Sequence, residues 1–137
     1  MRRLFIGILA VCAAFSYLSC TGEASGEPDF WLGADISWAT EYESRGYKFY
    51  NADGEERECT ELMKELGLNA VRLRVWVDPS AHGGWCSKED LLVKCLRAEK
   101  LGMAILVDFH YSDWWADPAK QNIPASWSGH SYEQMKK

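Results

Sequence analysis

Three apolar runs of strand length, separated by two helical segments that each stop at a glycine, constrain this chain more than anything else in it. "FWLGADISW" (30–38), "NAVRLRVWV" (69–77) and "MAILVDFHY" (103–111) read as strands, apolar until polar side chains collect at their C-terminal ends. Between the first two lies a loop through the turn signal "NADG" (51–54), then "EERECTELMKELG" (55–67). That segment has Cys59, Leu62, Met63 and Leu66 at helical spacing and Gly67 as its stop. Between the last two, "DPSAHGGW" (78–85) is a loop. Ser87 with Asp90 three positions on then forms a capping-box start, an Asp standing in for the usual Glu. The helix so opened runs to about Leu101, with Leu91, Leu92, Cys95, Leu96 and Ala98 apolar, and ends at Gly102. "SYEQMKK" opens a further helix. Strand, helix, strand, helix, strand demands a parallel sheet with right-handed crossovers, so the fold class is α/β. In such folds ligands bind at the C-terminal ends of the strands.

Those ends carry the chemistry. Successive strand residues face opposite sides, so Arg72, Arg74 and Trp76 share one face and Val71, Leu73, Val75 and Val77 the other. Two arginines on one face are costly unless they meet anions or water, which leaves a ligand site and an edge strand as the alternatives. Asp108 and His110 likewise share a face, and the following loop, "SDWWADP", adds Asp113, Trp114, Trp115 and Asp117. A Ser112–His110–Asp113 triad is excluded, because the groups are crowded in sequence and no nucleophile elbow surrounds Ser112. Nothing in the spacing of Asp108, His110, Asp113 and Asp117 fixes a metal-ligand geometry, and neither C-x-x-C nor H-x-x-x-H occurs. No metal or cofactor is therefore expected. Trp38, Trp76, Trp85, Trp114, Trp115 and Trp127 lie at strand ends or in the loops after them. Indole faces stack on the C–H faces of sugar rings while Asp, Arg and His bind hydroxyls, so the aromatic set points to a carbohydrate.

The N-terminus has another purpose. Arg2 and Arg3 precede an apolar stretch from Leu4 to Leu18, of signal-peptide length and too short for a comfortable membrane span. "LSC" at 18–20 fits a lipobox, with Tyr17 where an aliphatic residue is usual, which makes Cys20 the candidate lipidation site; cleavage nearby without a lipid is the alternative. Residues 1–20 are thus expected to be a leader, 21–29 ("TGEASGEPD") a tether and 30–137 the folded part. Contact with a membrane is expected only through that anchor. The formal charge is -5, and two of the basic charges lie in residues 1–19, so the remainder carries -7. Such an acidic surface has no footprint for nucleic acid. Cys59, Cys86 and Cys95 are odd in number; a Cys86–Cys95 bridge and buried free thiols are both open.

"GADISW" (33–38), "GLNAVRLRVWVDP" (67–79) and "ILVDFHYSDWWADPAKQNIPASW" (105–127) together resemble the N-terminal third of glycoside hydrolase family 53, the arabinogalactan endo-β-1,4-galactanases. The resemblance implies a (β/α)8 TIM barrel, of which three βα units are expected here, and retaining cleavage of internal bonds in β-1,4-galactan or arabinogalactan. It implies that Arg72 supports the nucleophilic carboxylate and that His110 lines the subsite beside the scissile bond. It places Asp35, Ser37, Trp38, Asp113, Trp115 and Asp117 near the cleft as substrate-binding residues. Trp114 departs from it, standing where a smaller residue is more usual. The family's acid/base and nucleophile are glutamates after strands four and seven, beyond Lys137, so the chain is expected to be a fragment inactive by itself. Glu41 and Glu43 do not occupy those positions. The alternative function is a non-catalytic, glycan-binding surface lipoprotein.

Overall fold

The computed structural model describes residues 30–136, so the leader, the tether and Cys20 lie outside the described residues. Three strands make one parallel sheet: β1 (Gly33–Asp35), β4 (Ala70–Val75) and β5 (Ala104–Phe109), with β4 in the centre. The register aligns Asp35 with Arg72, Arg72 with Leu106 and Arg74 with Asp108, which brings the polar ends of all three strands to one edge. Gly33 permits this pairing. A Cβ there would stand 2.9 Å from the Ala70 carbonyl oxygen, closer than side chains tolerate.

The crossover helices are α2 (Cys59–Glu65) and α3 (Lys88–Lys100), and α4 (Tyr132–Met135) follows β5. As the capping signal predicts, the Ser87 hydroxyl accepts from the Asp90 amide at 3.3 Å. The Asp90 carboxylate, however, accepts from the Cys86 amide at 2.7 Å instead of returning to Ser87. Ser131 and Gln134 form the full reciprocal box at α4.

The stretch 39–58 differs from expectation. A short helix α1 (Ala39–Ser44) occupies part of the expected loop. The Asn51–Gly54 turn closes a hairpin of β2 (Phe49–Tyr50) and β3 (Glu56–Arg57). Glu56 and Arg57 therefore belong to a strand, and α2 begins only at Cys59, where the Glu58 carboxylate accepts from the Thr60 and Glu61 amides.

The core lies between sheet and helices: Ile36, Ala39, Cys59, Val71, Leu73, Ala98 and Met103. Val71 and Leu73 reach it from β4 as their alternation with Arg72 and Arg74 predicts. The buried stripe of α3 is not the expected one. Leu92 and Leu96 face outward, whereas Lys94 is buried between the partly buried Leu91 and Cys95 and the buried Ala98. Leu66 of the second helical segment is also exposed, and Leu68 takes the inner place. The Cys86–Cys95 bridge does not form, and Cys59, Cys86 and Cys95 are free thiols. Burial, reinforced by the Glu58 and Glu43 charges, pushes the Cys59 thiol up to about 11, so it is inert near neutrality.

Candidate active site

The C-terminal edge of the sheet gathers four charged or titratable side chains, one or two from each strand. Arg72, from the central strand, is the pivot. Its Nη1 donates to Asp35 Oδ2 on β1 at 2.5 Å and its Nη2 to Asp108 Oδ2 on β5. Asp108 Oδ2 also meets His110 Nε2 at 3.0 Å. On its other side, His110 Nδ1 faces the Ala116 amide at 3.5 Å. One guanidinium thus bridges two carboxylates, and the second of these orients a histidine. Of the two arginines on this face, Arg72 meets anions, which resolves for it the cost the sequence raised.

Ser37 and Asp35 are locked beneath this group. The Ser37 hydroxyl donates to Asp35 Oδ1 at 2.6 Å and accepts from the Arg74 amide at 2.7 Å. Its own amide donates to the same Asp35 oxygen at 2.9 Å. Ser37 is completely buried with its hydroxyl engaged twice, so it brackets the site and offers no surface to a ligand. Burial raises the Asp35 carboxyl, but the two Ser37 hydrogen bonds and the Arg72 guanidinium outweigh it and hold the group below its ordinary value of 3.8. The sign follows directly. With the folded value depressed, the stabilisation is present above 3.8 and disappears as pH falls through the folded value. A carboxyl-carbon NMR titration should place the Asp35 midpoint below 3.8. Unfolding midpoints should drop on acidification under that pH, with a shallower drop in Asp35→Asn. A midpoint at or above the ordinary value contradicts the network.

A hollow of about 390 Å³ opens beside the pivot, lined by Arg72, Asp108, Phe109, His110, Trp115 and Ala116. Trp115 stands at its rim, half exposed, with the Arg74 guanidinium 4.0 Å from its ring centroid. The remaining expected residues are placed differently. Asp113 uses Oδ1 to accept from the Asp78 amide and Oδ2 to accept from the Ala125 amide, tying the loops after β4 and β5 together. Asp117 closes a local turn through the Ala119 amide at 2.8 Å. Trp38 packs edge-on against Tyr42 and obliquely against Phe49, in an aromatic group belonging to α1 and the hairpin. Trp114 packs obliquely against Trp76 and stacks on His82 at 3.8 Å, away from the residues that line the hollow. Ser112 is buried and its hydroxyl accepts from the Trp114 amide, making no bond to His110 or Asp113. Among the described residues no group of three or more His, Cys, Asp or Glu side chains could hold a metal ion.

Alternation put Asp108 beside His110, and the structure makes it the shared acceptor of Arg72 and His110; one residue at this edge was invisible in the strand pattern. Lys94 reaches from α3 to donate to the Ser37 carbonyl at 2.6 Å and to Asp90 at 2.7 Å. The signal for Lys94 was its spacing: four positions after Asp90 and on the stripe of Leu91 and Ala98.

Known proteins share much of this sequence and fold. The sequence model of glycosyl hydrolase family 53 matches residues 31–137. An endo-β-1,4-galactanase of Bacillus subtilis is 40% identical over 114 residues, covering 79% of this chain and 27% of the relative. An arabinogalactan endo-β-1,4-galactanase of Cellvibrio japonicus is 37% identical over 131 residues, covering 93% of this chain and 33% of the relative. The chain thus spans about a third or less of the length of these relatives. Among solved structures, the GH53 catalytic domain of Ignisphaera aggregans superposes with a TM-score of 0.72 at 41% identity, over 81% of this chain and 33% of that one. A fungal β-1,4-galactanase structure superposes with a TM-score of 0.67 at 37% identity, over 71% of this chain and 29% of that one. The three parallel strands with their helices are the N-terminal βα units of a TIM barrel.

Proposed function

Since the chain belongs to glycosyl hydrolase family 53, we propose that it serves endo-cleavage of β-1,4-galactan or arabinogalactan with retention, as the part that binds substrate and steadies the reacting carboxylates. The Asp35–Arg72–Asp108–His110 relay beside the half-exposed Trp115 face carries this reading. Retaining hydrolysis needs one carboxyl able to protonate a leaving group and a second free to attack, about 5–5.5 Å apart. Asp35 and Asp108 are poor candidates for either duty, because one guanidinium engages both. Their chemistry is support. Arg72 presents a fixed positive charge, His110 an imidazole held by Asp108, and Trp115 a flat apolar face for a pyranose ring. The acid/base and the nucleophile are the glutamates that the family resemblance places after barrel strands four and seven.

The second reading, a glycan-binding surface lipoprotein without catalysis, draws on the same engaged carboxylates. Under both readings we propose export, with Cys20 as the lipidated residue and the membrane met only through that lipid. Affinity electrophoresis in β-1,4-galactan, paired with a reducing-end assay, tests the proposal. The 137-residue chain should be retarded by galactan, unaffected by cellulose, and release no reducing ends. Absence of retardation removes both readings, and measurable turnover refutes the placement of the glutamates. A reading frame continuing past codon 137 into an Asn-Glu at a fourth strand end separates the enzyme from the binding protein.

A further inference from the structure

Arg74 is the strangest charge in the molecule. Its residue is only 8% exposed, yet no carboxylate among the described residues pairs with it. Its sole polar side-chain contact is the Cys86 sulfur, 3.5 Å from Nη2, and its Nε has no partner at all. What surrounds the guanidinium is aromatic: the centroid of Trp115 lies 4.0 Å from Cζ and that of Trp76 lies 4.5 Å away. Trp76 then packs on Trp114 at 4.5 Å, and Trp114 on His82 at 3.8 Å. His82, Trp114, Trp76, Arg74 and Trp115 form a continuous column, assembled from β4 and the loops after β4 and β5. Trp76 and Arg74 are buried within it, while Trp114 and Trp115 are partly exposed, and of these it is Trp115 that stands at the rim of the hollow beside Arg72 and His110.

We propose that Arg74 is a positioning residue whose guanidinium clamps the inner face of Trp115, holding the outer face ready for a galactan ring. The inference rests on the carbohydrate reading of the site and adds the device that orients its platform. An exposed indole on a loop would otherwise visit several rotamers, and each would move the platform away from Arg72 and His110. Sugar stacking is weak per contact and depends on a ring already fixed in place. A planar, weakly hydrated guanidinium suits this duty, because it can stack on the Trp115 face while the Trp76 ring, inclined at 78° to Trp115, packs against both. The rings of Trp76 and His110, with centroids 5.5 and 5.7 Å from that of Trp115 and steeply inclined to it, pack beside the indole and limit its rotamers. Arg74 itself is anchored by its main chain, whose amide donates to the buried Ser37 hydroxyl.

Incorporation of 5-fluorotryptophan into the full chain gives one fluorine NMR resonance for each of the 7 tryptophans, assigned by single Trp→Phe variants. In the unaltered protein the Trp115 resonance should be sharp and should move on addition of β-1,4-galactotetraose. In Arg74→Met it should broaden or shift while the resonances of Trp31 and Trp38 stay in place, and affinity for the tetrasaccharide should fall about tenfold. Arg74→Lys, which keeps the charge without the plane, should lose nearly as much. An unchanged Trp115 resonance in Arg74→Met overturns the clamp. So does collapse of all the resonances in both Arg74 variants, which would make Arg74 a general support of the fold. If galactotetraose leaves the unaltered protein's Trp115 untouched while Arg74→Met still broadens it, the clamp stands and the carbohydrate reading falls.

Discussion

Lys94→Met should cost about 3–5 kcal/mol of unfolding free energy, the largest loss expected of any single charge change in the chain. The Lys94 side chain is fully buried, and its ammonium donates to the Ser37 carbonyl and the Asp90 carboxylate. Methionine fills a similar volume, so the loss is electrostatic and not a cavity effect. It strands the largely buried Asp90 carboxylate with the Cys86 amide as its remaining donor, and it leaves the Ser37 carbonyl with only the Cys86 thiol. An uncompensated buried charge is the costly half of breaking such a pair. Lys94→Met with Asp90→Asn should therefore be more stable than Lys94→Met alone, since the asparagine keeps an oxygen for Cys86 and carries no charge. Urea unfolding of the two single variants and the double variant measures the coupling. A single-variant loss below about 1 kcal/mol, or no recovery in the double variant, would show that Lys94 is not buried as a charge. Because domains are stable by only about 5–15 kcal/mol, the single variant should also lose galactan retardation at ambient temperature.

That such a residue escaped the sequence shows where sequence patterns stop being informative. The sheet order, the glycine stops and the Ser87 cap were legible because each rests on a local rule: alternation, positive φ at Gly67 and Gly102, a hydroxyl facing a free amide. The resemblance carried the site residues, and the geometry brought Arg72, Asp35 and His110 together while leaving Trp38 in another aromatic group. Lys94 was passed over because a lysine on an apolar stripe breaks the pattern that locates the stripe. Helix α1 was equally hidden. It has six residues and no side-chain cap, and what holds it comes from afar: Ala39 in the core, and Arg97 from α3 bound to Glu43 and Glu58. The arginine pair on β4 was legible as a problem but not as a solution, since alternation says which face a cation takes and not whether it meets a carboxylate or an indole. Strain adds to this. Cys86 and Tyr111 adopt φ of 60° and 49°, conformations no sequence rule assigns to cysteine or tyrosine, and both sit in loops that build the site.

Leu73→Ala and Leu106→Ala should differ by several kcal/mol although both delete the same atoms from neighbouring strands. Leu73 has no exposed surface and packs with Val71, Ala98 and Met103 between the sheet and its helices. Its truncation leaves a cavity as well as lost burial, and about 2–5 kcal/mol is expected. Leu106 is 62% exposed. It pairs in register with Arg72, on the face that carries the site, and lines an apolar hollow of about 560 Å³ with Trp31, Ala34 and Ala70. Water already reaches it, so Leu106→Ala should fall within about 0.5 kcal/mol of the unaltered chain in urea unfolding. It should also keep its galactan retardation, because the Arg72 and Trp115 contacts do not involve it. Equal losses at the two positions would mean that the inner face of the sheet is covered in solution as thoroughly as the helical face. The asymmetry follows from strand alternation: one face of β4 is spent on the core, and the other, held rigid by it, is free to carry charge.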